Sequence, residues 1–204
     1  MEPGTTSADV WTGVRDGYDG RGLRVLRATP FSNGNAIVVT RETASRHDLQ
    51  TLTDLARVSG KLRFGAIPGF DTREDGMPLL ERVYGMRFGK VQTLENGIKY
   101  KSLLDGGVDA VYGFETDGPI ASKDLVVLRD DAAAWPAYNV APIVSKGFAN
   151  RAGADFAATL DHVSSLLDAR TMARLNAQVD ERGREPADVA RDFLRDHGIV
   201  TVTS

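Results

Sequence analysis

Arg73, Phe114 and Tyr138 are the side chains of this sequence best equipped to hold a small charged molecule. Arg73 carries a planar guanidinium, a fixed fork of donors that matches a carboxylate or a phosphate. The faces of Phe114 and Tyr138 attract a cation through the ring quadrupole, at about 0.5–2 kcal/mol each depending on desolvation. Brought together, the three would suit a zwitterion, with its acid on the arginine and its ammonium on the rings. Each also has a local reading. Arg73 is equally placed to pair with Asp71, Glu74 or Asp75 on the surface, and the aromatics to be core or rim.

Other chemistries are poorly supplied. His47, His162 and His197 are far apart and fall into no metal-ligand spacing. His197 lies at the end of a helical pattern, where the dipole favours a cation. No nucleophile elbow, P-loop or dinucleotide fingerprint occurs. Asp130 and Asp131 are adjacent, so in an extended segment they point to opposite sides and cannot work as a paired acid and base. Glu115 or Asp117 could serve as a base, but nothing supplies a nucleophile or metal beside them. The expectation is a binding protein without catalysis, cofactor or metal.

The elements that would position these residues can be read from the apolar pattern. Lys61 to Ile67 alternates as a strand, and Met77 to Tyr84 follows as a helix. That helix is punctuated by Asp75 as a capping acid, Pro78 in the first turn and Gly85 at the end. Arg73 thus falls in a strand-to-helix loop, at the carboxyl end of a strand, where open α/β sheets place ligands. Val108 to Phe114 is a nearly uncharged strand, as expected when both faces are covered, and runs into a loop at Glu115 to Gly118.

Upstream, Trp11, Val14 and Tyr18 share one face of a short helix, and strands are expected at Leu23 to Arg27 and Asn35 to Thr40. Thr51 and Asp54 have the spacing of an acid-variant capping box, heading a helix that turns Leu52, Leu55 and Ala56 inward and ends near Gly60. Val91 to Leu94, Leu125 to Leu128 and Asn139 to Ser145 read as further strands, and Gly97 to Leu104 as a helix. After Gly147 only helical patterns remain. Phe156, Leu160, Val163 and Leu167 form one stripe, Met172, Leu175 and Val179 a second, and Val189, Ala190, Phe193 and Leu194 the buried face of a third. The alternation predicts an α/β architecture with a mostly parallel sheet.

Composition agrees with one large or two small globular units. The chain has 204 residues, 42% hydrophobic and 26% charged, with a formal charge of −3. A pI near 5.6 and scattered Lys and Arg argue against nucleic acid as the main partner. The absence of cysteine removes disulfide and thiolate chemistry. No apolar run approaches the roughly 20 residues that span a bilayer, and Met1 to Thr5 lacks the basic start and apolar core of a secretion signal.

The order of motifs adds what no single one carries. Phe70-x-x-Arg73-x-Asp75-Gly76, Tyr84-Gly85, Tyr100, Val108-Asp109, Thr116-Asp117-Gly118, Leu128-x-Asp130-Asp131, Pro136-x-Tyr138 and Ala141-Pro142 follow one another in a set spacing. Together with Leu175-Asn176, Val179-Asp180, Val189-Ala190 and Phe193-Leu194, this series resembles the glycine betaine/carnitine/choline-binding proteins of osmoprotectant ABC transporters, over roughly residues 23–200. The resemblance implies a type II periplasmic-binding-protein fold whose hinged lobes trap a ligand, and a permease as partner. It implies an extracytoplasmic location. Arg73 matches the carboxylate-binding arginine and Tyr138 a cage tyrosine. Phe114 occupies a second cage position without the hydroxyl, and Asn35 a third without a ring. Against the family, the chain is short at its front: Gly4-Thr5 matches the end of a stretch that would supply most of the first lobe. The expected organisation is a second lobe at 30–142, with 1–29 and 143–204 as a crossing segment and C-terminal helices of a partial first lobe. Incomplete cover of those helices would favour self-association. A ligand-sensing regulatory module of the same fold is the competing reading, although no DNA-binding helix pair precedes it.

Overall fold

A computed structural model describes residues 7–200; the Gly4-Thr5 match lies outside them. The chain divides into two compact units. The first comprises residues 34–115 and 123–136, the second residues 7–33, 116–122 and 137–200. Segment 116–122, inside the range expected for the second lobe, therefore groups with the chain's two ends.

The first unit is built on β2 (Asn35–Thr40), β3 (Arg63–Ala66), β4 (Lys90–Thr93), β5 (Ala110–Phe114) and β6 (Leu125–Leu128), with helices α2 (Arg41–His47), α3 (Leu52–Val58), α4 (Met77–Tyr84) and α5 (Asn96–Leu104). β1 (Leu23–Val25) belongs to the second unit. The strands form a five-stranded sheet in the order β4-β3-β5-β2-β6. β3 pairs in parallel with β4 and β5, as the helical connections α4 and α5 require. β2 is antiparallel to both β5 and β6. The sheet is therefore mixed, not mostly parallel. Four strands run one way and β2 is inserted against them, a placement made by long-range pairing that no local apolar pattern encodes. Its inner positions Ala36 to Val39 are all buried, as a strand covered on both faces demands.

The core of this unit gathers Ile37, Val39, Leu52, Leu55, Phe64, Phe70, Leu79, Leu80, Tyr112 and Trp135. Aromatic contacts run through it. Phe64 stacks on Phe88 with ring centroids 4.3 Å apart, and Phe70 lies 4.3 Å from Tyr112. Thr51 caps α3 as its sequence predicts. Its hydroxyl accepts from Asp54 N–H (3.1 Å), and the Asp54 carboxylate accepts from Thr51 N–H (3.0 Å). Ala56 is only partly buried, and the helix ends at Val58, followed by a 3-10 turn at Ser59–Lys61 that shortens the expected β3. α2 was not evident from Arg41-Glu42-Thr43-Ala44-Ser45, a segment too polar to show a stripe; Thr40 caps it.

The second unit holds α1 (Ser7–Asp19), the antiparallel pair β1 and β7 (Ile143–Ser145), α6 (Gly118–Ser122), α7 (Lys146–Ala152), α8 (Ala154–Leu166), α9 (Ala169–Asp180) and α10 (Pro186–Asp196). Both strands are shorter than expected, because only three residue pairs lie in register. Gly118 is required by a close approach: a Cβ there would stand 2.9 Å from the Ala177 backbone of α9. Asn176 seals the same contact, its side-chain N–H donating to the Thr116 carbonyl at 2.8 Å. In α10 only Val189 is buried; Phe193 and Leu194 are half-buried and Ala190 is exposed, so that face is narrower than its apolar spacing suggests. Phe156, Leu160, Val163 and Leu167 are half-buried as well.

Candidate ligand-binding site

Arg73 sits between β3 and α4 in a loop tied by its own backbone. Arg73 N–H donates to Gly69 O at 3.0 Å, Gly76 N–H to Arg73 O at 3.0 Å, and Met77 N–H to Phe70 O at 2.9 Å. Gly76 begins the helix because nothing larger fits: a Cβ there would fall 2.1 Å from Phe70 O. It is also the N-cap, with no side-chain capping bond. Asp75 is therefore not the capping acid its position suggests. Its carboxylate instead takes Arg73 in a two-point grip, Nε to Oδ1 at 2.9 Å and Nη2 to Oδ2 at 2.7 Å. The arginine holds the Asp75 carboxyl below its ordinary range. Both side chains remain partly exposed, 43% and 37%. The fork thus already has a carboxylate in it, supplied from two residues along.

Phe114 ends β5 directly opposite Asn35 at the start of β2. Two residues apart on one strand face, Tyr112 and Phe114 meet edge to face at 5.4 Å. Tyr112 donates its hydroxyl to Asn35 Oδ1 at 2.5 Å, while Asn35 Nδ2 is buried without a hydrogen-bond partner among the described residues. The structure adds a residue that sequence reasoning passed over. Lys99 on α5 is 4% exposed, and its Nζ lies 5.1 Å from the Tyr100 ring centroid, 5.5 Å from Phe114 and 6.0 Å from Tyr112. A lysine inside a helical pattern reads as solvated, so only the packing of α5 on β5 reveals it.

Glu115 follows Phe114. Burial, together with the neighbouring Asp130 charge, pushes its carboxyl above the usual range. Asp130 accepts from Tyr84 Oη, Ala134 N–H (3.0 Å) and Trp135 N–H (3.0 Å), whereas Asp131 accepts from Thr53 N–H (3.2 Å). Burial foremost, then the bond to Asp130, pushes the Tyr84 phenol upward. The two aspartates have separate partners, and both serve the loop after β6.

Arg73, Phe114 and Asn35 belong to the first unit and Tyr138 to the second. Tyr138 is fastened by its backbone to the preceding turn: its N–H donates to Ser32 Oγ at 3.0 Å and its carbonyl accepts from Asn33 N–H at 3.1 Å. Asn139 anchors the same turn through Thr29 O (3.1 Å) and Phe31 O (3.0 Å), and Tyr138 is 41% exposed. A hollow of about 530 Å³ in this unit is lined by Trp11, Val14, Arg27 and Asn139 among others, and by none of the four candidates.

Residues 3–196 match the family described as the substrate-binding domain of the ABC-type glycine betaine transport system. The chain belongs to this family. It is 33% identical over 193 residues to a glycine-betaine-binding protein of Pseudomonas aeruginosa, an alignment covering 89% of this chain and 62% of that protein. It is 30% identical to the glycine betaine-binding protein YehZ of Escherichia coli, covering 93% and 68% of the two chains. The fold superposes on the crystal structure of a glycine betaine/carnitine/choline ABC transporter with a TM-score of 0.91 at 30% identity, covering 98% of this chain and 73% of that one. The chain thus spans less than two thirds of the Pseudomonas relative's length. The substrate-binding domains of this family have the type II periplasmic-binding-protein fold, and the α/β architecture found here agrees with it.

Proposed function

We propose that the chain is the solute-binding component of an ABC importer for quaternary-amine osmoprotectants of the glycine betaine, carnitine and choline type. The family match across residues 3–196 carries this reading. Local geometry supports it: the Arg73 fork accommodates a carboxylate at two points, and the Phe114 face accepts a cation. Arg73, Phe114, Tyr138 and Asn35 are the proposed ligand contacts, with Arg73 for the acid and the rings for the ammonium. The protein acts by binding and by docking to a permease, outside the cytoplasm, and performs no chemistry itself. The five-stranded unit serves as the second lobe and the remainder as part of the first, with self-association through exposed apolar positions of the latter.

Calorimetry of the whole chain against glycine betaine, proline betaine, carnitine and choline tests the proposal. Saturable binding that Arg73→Ala abolishes supports it. Failure of every solute to bind overturns it.

A further inference from the structure

The loop after β6 takes hold of both ends of α4, and Arg73 lies just before one of them. At the far end, Tyr84 is the last residue of α4; its hydroxyl donates to Asp130 Oδ1 and accepts from Ala132 N–H (2.9 Å). The Asp130 carboxylate also accepts from Ala134 N–H and Trp135 N–H, each at 3.0 Å, which fixes where Trp135 stands. At the near end, the Trp135 indole N–H donates to the Asp75 carbonyl at 2.8 Å, across 60 residues of chain. Asp75 immediately precedes Gly76, the N-cap of α4. An indole has a single donor, and in a residue only 7% exposed it goes to loop backbone. Within the same loop Ala133 keeps φ at 49°, in the left-handed region that a residue with a side chain rarely adopts. Strain of that kind persists only where the surrounding structure imposes it, and it gathers where one geometry must be held. All of these residues belong to the first unit.

We propose that Trp135 is a positioning residue for Arg73: by holding the Asp75 carbonyl, its indole fixes the loop backbone from which the guanidinium projects. The inference rests on the solute-binding reading above and adds what keeps the arginine in place for the ligand's acid. A two-point bond to a carboxylate tolerates little misplacement, so a loop free to shift would have to be ordered anew by each ligand. The Trp135 bond removes that ordering from the binding step, whether Asp75 or a ligand acid fills the fork. Its effect is therefore confined to solutes that carry a carboxylate.

The test is calorimetric titration of the full chain with glycine betaine and with choline, for the wild type, Trp135→Phe and Tyr84→Phe, each well below its melting midpoint. Trp135→Phe keeps an aromatic ring in the core and loses the N–H. It should weaken glycine betaine binding at least threefold and change choline binding, which offers Arg73 no acid, by less than twofold. A smaller glycine betaine loss overturns the proposal, and so does a choline change of twofold or more, the mark of a merely structural role. Either result leaves the receptor reading intact. If the wild type takes no choline, the glycine betaine loss decides alone. Should Trp135→Phe not fold, Tyr84→Phe, which frees the far end of α4 from the same loop, decides by the same criteria. If the wild type does not bind glycine betaine, the receptor reading falls and this inference with it.

Discussion

Asp75 occupies the Arg73 fork, so a ligand acid held there, as proposed, would compete with it for one set of donors. Asp75→Asn should therefore raise glycine betaine affinity severalfold, read by calorimetry at neutral pH. The same pair sets an acid limb on stability. Arg73 lowers the folded-state pKa of Asp75, so its contribution is present above the unfolded value of about 3.9 and is lost as pH falls through the lower folded value. Glu115 behaves oppositely. Its carboxyl is raised by burial and by Asp130, so the folded state holds its proton longer and stability declines as pH rises from the unfolded value through the folded one. Glu115→Gln should raise the melting temperature at pH 7, and the gain should vanish in melts near pH 4. At Tyr138, a residue 41% exposed, replacement by Ala should weaken quaternary-amine binding by at least about 1 kcal/mol, the cation–π share of one ring.

The strand-to-helix loops position these side chains, and their stiffness comes from caps and close approaches. Thr51 is 8% exposed and completes both halves of the α3 capping box. Thr51→Ala should cost about 1 kcal/mol of stability in denaturant melts, with little change in ligand affinity if the loop of Arg73 is unaffected. Caps and stripes of this kind are local, which is why the limits of β2, α4 and β6 could be read from residue types alone. Asp75 is the instructive exception. An acid just before Met77-Pro78 looks like a cap, yet Gly76 takes that position because its missing Cβ leaves room for Phe70 O, and the carboxylate turns to Arg73. α2, α6 and α7 carry no apolar stripe long enough to register and become helical by capping and packing.

Over the molecule, both units leave apolar side chains exposed: Val91, Ile98 and Leu104 in the first, Val140, Ile143 and Phe148 in the second. The second unit leaves Val140 47% exposed, Ile143 42% and Phe148 43%, around a short antiparallel pair of strands. Such surface favours association. Sedimentation velocity at rising concentration should show reversible self-association, and Phe148→Glu should shift the distribution toward the monomer. A single concentration-independent species would remove the idea. The first unit also buries a continuous core from Ile37 to Trp135.

Residue order alone was enough to establish an α/β chain with Arg73 in a loop after a strand, because strand alternation, turn glycines and helix stops act over a few residues. It was also enough to single out Phe114 and Asn35, through a resemblance spread along the chain. Folding decided the rest: that β2 runs against its neighbours, that Phe114 and Asn35 stand opposite each other, and that Asp75 fills the arginine fork. Lys99 is the clearest case. Whether a lysine is solvated or held against rings depends on which helix face packs on which strand, and those partners are separated in sequence and joined only by tertiary contact.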